Sequence, residues 1–218
     1  MKNLFRLKST ICLLFIVPLL GFSISQIDRK FNNDIELLKE VQKKYNSSKN
    51  IYMSFTQTGC SLVNEMKQSL KGNLFYSKGN KYKIELKDQI IICDGKTVWN
   101  YSKLNKRVII TNYEENFFSP SNLLVKLPEK AKIQFLGEER IDNNKYQKVQ
   151  FNPTDEELNF KNLIIWIAED LSIRKVYTED WAGNIYSYMI DKISFNEKFN
   201  EDIFYFTIPK GVKVIDLR

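Results

Sequence analysis

The sequence predicts a mainly β protein: an antiparallel meander of about eleven strands that curls into a barrel or part of one, with a few helices beside it. Two observations lead there. From Ile51 onward, apolar residues recur at every second position in one short segment after another. Those segments are joined by short turns, with no helical pattern alternating between them as it would in a parallel βαβ fold.

At the N-terminus, Lys2, Arg6 and Lys8 precede an apolar run from Ile11 to Phe22, and Ser23-Ile24-Ser25 offers small residues before a cut, so residues 1–25 read as a secretory signal. The run is broken by Pro18 and is shorter than the ~20 residues of a membrane-spanning helix. Ile11 precedes Cys12 and the rest of the apolar run follows it, which argues against a lipid anchor. A single domain is expected over residues 26–218, enough chain for a substantial core. Phe31, Ile35, Leu38, Val41 and Tyr45, spaced by four and three, form one face of a helix from Asp28 to Tyr45.

After Asn46-Ser47-Ser48 the period changes to two. Ile51, Met53 and Phe55, then Leu74 and Tyr76, then Tyr82, Ile84 and Leu86 mark the first strands. The hairpin IIICDGKTVWNY follows, with Asp94-Gly95 supplying the positive φ of a tight turn. Further strands are expected at Arg107–Thr111, Ala131–Leu136, Lys145–Phe151, Leu163–Ala168, Ile173–Tyr177, Ile185–Ile193 and Ile203–Ile208. Ser119-Pro120 looks like an N-cap followed by proline at the first helical position, leading into Leu123, Leu124 and Leu127.

Composition narrows the chemistry. The chain has no histidine, which removes Ser-His and Cys-His arrangements, the usual general base near neutral pH and the commonest zinc ligand. No cofactor and no metal are expected. The formal net charge is +7, three of those charges lie in the signal, and the remaining basic residues are interleaved with acidic ones, which gives nucleic-acid binding no support. After processing, Cys60 and Cys93 remain. They either form a disulfide closing a loop of about 33 residues, contributing ~3 kcal/mol, or stay as two buried thiols.

Several strands are apolar on both faces: Leu74-Phe75-Tyr76, Ile90-Ile91-Ile92, Leu163 to Ile167 and Ile203 to Phe206. A half-buried sheet has no need of this, so something covers each face. Two amphipathic helices cover only part of such a sheet. Either the sheet is packed solid or one face lines a hollow, and the pattern alone does not separate the two.

At GNLFYSKGNKYKIEL followed by IIICDGKTVWNYSKLNKRV, the chain closely resembles the outer-membrane lipoprotein carrier family, LolA. That family has a helix, a strand ending Phe-Thr-Gln, a Gly-x-Leu strand running into Arg-Pro and an aromatic strand, then Ser-Asp-Gly-Lys-Thr-Leu-Trp-x-Tyr. The counterparts are Phe55-Thr56-Gln57, Gly72 and Leu74, Tyr82, and Asp94-Gly95-Lys96-Thr97-Val98-Trp99 with Tyr101. Ser119-Pro120 with Leu123-Leu124 resembles the family's mid-chain helix, and Pro209-Lys210-Gly211-Val212 its closing Pro-x-Gly-Val. Each piece is weak alone; the ordered set is specific.

The resemblance implies an incomplete antiparallel β-barrel closed by a helical lid around a hydrophobic cavity. It implies a periplasmic, non-catalytic, monomeric carrier of the acyl chains of triacylated lipoproteins. Cargo would come from an inner-membrane lipoprotein-releasing ABC transporter and pass to an outer-membrane receptor that is itself a lipoprotein. The cavity set expected on this basis is Phe55, Leu74, Tyr76, Tyr82, Ile84, Leu86 and Trp99, with Leu123 and Leu124 in the lid. Each has an alternative as ordinary core. The clearest departure is Lys78, which stands where the family has arginine, with Gly79 in place of proline. Lysine keeps the charge but loses the planar fork, so Lys78 is either a looser gate or a solvated lysine before a turn.

Two other classes of function compete. A sensing or binding module of the cell envelope with the same fold would hold lipid or lipoprotein without releasing cargo. A hydrolase would need paired carboxylates such as Glu169 and Asp170, but neighbours on a strand point to opposite faces.

Overall fold

The computed structural model describes residues 24–60, 67–114, 131–154, 158 and 160–218. Helix α1 (Ile24–Ser47) leads into twelve strands: β1 (Asn50–Cys60), β2 (Lys67–Ser77), β3 (Lys81–Leu86), β4 (Gln89–Asp94), β5 (Thr97–Ser102), β6 (Arg107–Asn112), β7 (Ala131–Ile141), β8 (Asn144–Pro153), β9 (Asn162–Ala168), β10 (Ile173–Glu179), β11 (Ile185–Phe195) and β12 (Lys213–Asp216). They form one sheet in the order β12-β6-β5-β4-β3-β2-β1-β11-β10-β9-β8-β7. All pairs are antiparallel except β12 with β6. The ends of the order, β7 and β12, are not paired with each other, so the sheet curls without closing.

The expected elements that fall among the described residues are present with one correction. Ile203–Ile208 is not a strand. Asn200 caps a 3₁₀ turn, Glu201–Phe204, by accepting from the Asp202 N–H at 3.1 Å. The last strand lies further on, at Lys213–Asp216, where Lys213 donates its N–H to the Lys106 carbonyl. A local capping interaction overrode the strand pattern. The mid-chain helix expected after Ser119, with Leu123, Leu124 and Leu127, lies outside the described residues, as do residues 1–23 of the segment 1–25 expected to be a secretory signal.

Register sorts the side chains onto two faces. Directly paired residues share a face, so Ile51, Tyr76, Tyr82, Cys93 and Val98 form one row across β1 to β5, and Met53, Leu74, Ile84 and Ile91 form the next. Leu38, Val41 and Tyr45 of α1 pack into this inner face, together with Val149, Phe151, Leu163, Ile165, Ile167 and Ile173 from the other half of the sheet. Tyr45 is the anchor: it is fully buried, its ring meets Phe195 edge-on at 5.1 Å, and its hydroxyl accepts the Ile173 N–H at 3.0 Å.

The opposite face of the same strands explains the two-sided apolar runs. Phase-shifted by one residue, Tyr52, Phe75, Lys83, Ile92, Trp99 and Ile110 form an outer row. The C-terminal stretch folds back over this side: Phe199 meets Phe75 at 5.9 Å and Phe204 at 5.7 Å, and Phe206 meets Tyr101 at 5.5 Å. The second apolar face of Leu74-Phe75-Tyr76 is therefore covered by the chain itself.

The two cysteine readings are also separated. Cys93 is a free, fully buried thiol in the row of Ile51. Cys60 sits at the far end of β1, paired with Lys67, nine residues along the strand and so roughly 30 Å away. A disulfide needs Cα atoms within about 7 Å, so these two are not joined.

Candidate functional site

Among the described residues, the inner face packs against Leu38, Val41 and Tyr45 of α1. Past Met53, Leu74 and Ile84 it opens into a recess of about 370 Å³ at the end of the sheet marked by the β3–β4 turn. The apolar lining is Leu70, Leu86, Ile109 and Leu104; Gln89, Asn100 and Ser102 add polar groups, and Lys87, Asp88 and Arg107 complete the lining. The placement follows from register. Leu70 lies two residues before Gly72, which pairs with Leu86, while Gln89, Ser102 and Arg107 lie opposite one another, as do Asn100 and Ile109. Gln89 donates from Nε2 to Asn100 Oδ1 at 2.7 Å, which satisfies part of the polar floor internally.

Gly72 shows how the sequence makes room here. A Cβ on it would come within 2.6 Å of the Phe55 ring and 2.7 Å of a Leu86 methyl. Those two side chains occupy the space of the missing one, so a side chain at Gly72 would have to displace the Phe55 ring and the Leu86 methyl. Gly95 is required by both conformation and space. Its φ is +99°, and a Cβ there would stand 2.5 Å from the Gly79 carbonyl oxygen, so the turns flanking β3 and β4 lie against each other.

The expected site residues separate into groups. Phe55, Leu74, Tyr76, Tyr82, Ile84 and Leu86 share the inner face. Leu74, Tyr76 and Tyr82 are buried in the core, and Phe55 and Ile84 pack against it. Leu86 reaches the open recess. Trp99 stands apart: it pairs with Ile92 and Ile110 and so belongs to the outer row, because one step along a strand reverses the face. Leu123 and Leu124 lie outside the described residues. Lys78 is exposed in the β2–β3 turn, its N–H bonded to the Lys49 carbonyl. That turn is at the opposite end of β3 from the recess, about 20 Å away. At the same turn Lys81 pairs with Glu201 at 3.0 Å, tying it to the C-terminal 3₁₀ turn.

Sequence reasoning missed Leu70, Gln89, Asn100, Leu104, Arg107 and Ile109. Continuing the period-two rows beyond the motif would have reached Leu70 and Gln89. The meeting of Asn100 with Ile109 needed the pairing of β5 with β6.

The buried polar groups of the inner face are kept neutral. Burial pushes the Tyr76 and Tyr82 phenols up, and burial pushes the Cys93 thiol up to about 11, although the Gly95 N–H donates to its sulfur at 3.3 Å. A thiol held protonated is a poor nucleophile. Asp170, half of the carboxylate pair considered above, accepts from the N–H and hydroxyl of Ser172 in the β9–β10 turn. Among the described residues no cluster of three or more metal-ligating side chains is present. The arrangement is suited to binding an apolar group.

The raised Cys93 value carries a sign. The folded state holds this proton more tightly than the unfolded chain, so its stabilising effect is complete below the ordinary thiol pKa and lost as pH rises toward about 11. The thermal midpoint should fall over that alkaline window, and Cys93→Ala should make the fall shallower. An identical slope in the variant would refute the assignment.

Comparison with known proteins places this geometry. The family profile described as "Outer membrane lipoprotein carrier protein LolA" matches residues 46–207. An uncharacterized protein of Methanocaldococcus jannaschii is 24% identical over 217 residues, covering 95% of this chain, and the chain spans 60% of that protein's length. An outer-membrane lipoprotein carrier protein of Histophilus somni is 26% identical over 186 residues, covering 83% of this chain and 88% of the relative. Among solved structures, an uncharacterized conserved protein of Thermus thermophilus superposes with a TM-score of 0.56 at 13% identity, covering 84% of this chain and 99% of the other, which shows a shared fold.

Proposed function

Because the chain belongs to the outer membrane lipoprotein carrier family, LolA, we propose that it binds the acyl chains of lipoproteins in the inner-face recess and carries them between membranes. The observation that supports this most is a recess lined by Leu70, Leu86, Leu104 and Ile109 among polar and charged groups, next to the hydrophobic core on the inner face of an unclosed sheet. In this reading residues 1–25 are removed on export and the protein works in the periplasm. It receives triacylated lipoproteins from an inner-membrane ABC transporter and gives them to an outer-membrane receptor. No helix among the described residues is long and apolar enough to cross a membrane.

Magnitudes favour a carrier over a permanent store. Each methylene removed from water contributes about 0.8 kcal/mol, and a recess of about 370 Å³ is at the small end of ligand pockets. Partial shielding keeps a long chain in solution without making its release prohibitive. In this reading the site acts by binding.

The test is release. Mature protein is added to spheroplasts carrying a labelled triacylated lipoprotein, and label is sought in the supernatant bound to this chain. Release that depends on ATP and on the transporter supports the carrier. A folded protein that binds the lipoprotein yet releases none, with its own transporter present, would replace this reading with that of an envelope lipid-binding module.

A further inference from the structure

We propose that the β5–β6 turn, with the β3–β4 turn beside it, is a docking tip for an anionic lipid bilayer and brings the mouth of the recess to the membrane surface. Leu104 is 79% exposed, the most exposed of the large hydrophobic residues described. It is surrounded in sequence by Lys103, Lys106 and Arg107, and Lys87 of the adjacent turn is exposed as well. The only carboxylate in these two turns is Asp88. An apolar side chain ringed by cations matches the interface of an anionic bilayer, where the leucine enters the acyl boundary and the cations meet headgroups.

Leu104 is not exposed through looseness. Lys103 donates its N–H to the Asp88 carbonyl at 2.9 Å, and its ammonium bonds the Lys87 carbonyl at 3.0 Å, fastening the two turns together. Ser102 Oγ accepts from the N–H and side-chain amide of Asn105, and Lys106 bonds back to the Lys103 carbonyl. Lys106 has a positive φ of 45° and its carbonyl accepts from Lys213 of β12. A turn held at this many points presents its leucine at no further ordering cost.

Position gives the tip its use. Leu104, Lys87 and Arg107 also line the recess, so a bilayer bound here lies against its opening. The proposal goes beyond the carrier reading and does not need it, because bilayer binding is measured without cargo.

The experiment is co-sedimentation of the mature protein with vesicles of phosphatidylglycerol and phosphatidylcholine, against phosphatidylcholine alone. Binding is expected only to the anionic vesicles and should weaken with added salt. Lys87→Gln, Lys106→Asn and Arg107→Gln should each weaken it by about fivefold, and Leu104→Gln by about tenfold. Lys103 is left intact because it holds the turns together. A control removing two charges from β7, Lys132→Gln with Arg140→Gln, should bind as the parent does. The proposal is overturned if the parent ignores anionic vesicles, if the folded tip variants bind as well as the parent, or if the β7 control loses as much. Acyl-chain binding in the recess with no vesicle binding would remove the tip and leave the carrier reading standing.

Discussion

Leu86→Asp should abolish acyl-chain binding while leaving the protein folded. Leu86 closes β3 on the inner face, lies against the Cα of Gly72 and lines the open recess, yet it is only half-buried. Aspartate is too short to carry its charge out to solvent, as a lysine or arginine would by snorkelling. An acyl chain entering the recess would have to strip water from that carboxylate, at a cost of several kcal/mol. Affinity for a fluorescent fatty acyl probe should fall by about a hundredfold or more, with only a modest change in thermal midpoint. Leu86→Met, which preserves volume and apolarity, should bind nearly as the parent does. Full affinity in a folded Leu86→Asp protein would place the acyl site elsewhere. Leu74→Asp is not an equivalent test, since Leu74 is core and its loss of binding would report unfolding.

The largest stability effect is expected at Tyr45. Tyr45→Ala removes a fully buried ring that joins α1 to Phe195 and leaves the Ile173 N–H unpaired. Large-to-small changes of this kind cost about 3–5 kcal/mol, a large part of the stability of most single domains. Tyr45→Phe keeps the ring contact and deletes only the acceptor, which isolates a cost of about 1–3 kcal/mol for the orphaned amide. Urea unfolding should rank the proteins parent, Phe variant, Ala variant. Equal midpoints for parent and Phe variant would show that water replaces the hydroxyl, and a parent-like Ala variant would show that α1 is not anchored here.

Which residues share the inner face was readable in the sequence because a strand repeats every two residues, although of the expected set only Leu86 lines the recess. Tyr82, Ile84 and Leu86 alternate within one segment, and nothing but that period is needed to put them on one face. Trp99 fails by the same rule. It belongs to the same family motif as Asp94 and Gly95, but its face depends on which residue of β4 it pairs with, and that residue is Ile92, not Cys93. A motif records order along the chain, whereas a cavity is assembled across it.

The chain by itself determined the helix at the N-terminus, the succession of antiparallel hairpins, the glycine turns and the lack of histidine chemistry, because each depends on residues adjacent in sequence. Tertiary structure alone decided the rest. Ile203 to Phe206 has the pattern of a strand, but the Asn200 cap turns its start into a 3₁₀ turn whose Phe204 packs on Phe199, the ring that covers Phe75. That covering settles why the strands are apolar on both faces: one face packs under the C-terminal stretch, and the other is shared between α1 and an open recess. The hydrophobic effect rewards burial without specifying the partner, so identical apolar runs are compatible with a solid barrel or a hollow one. Among the described residues, the register of the pairs and the reach of α1 leave a recess on the inner face.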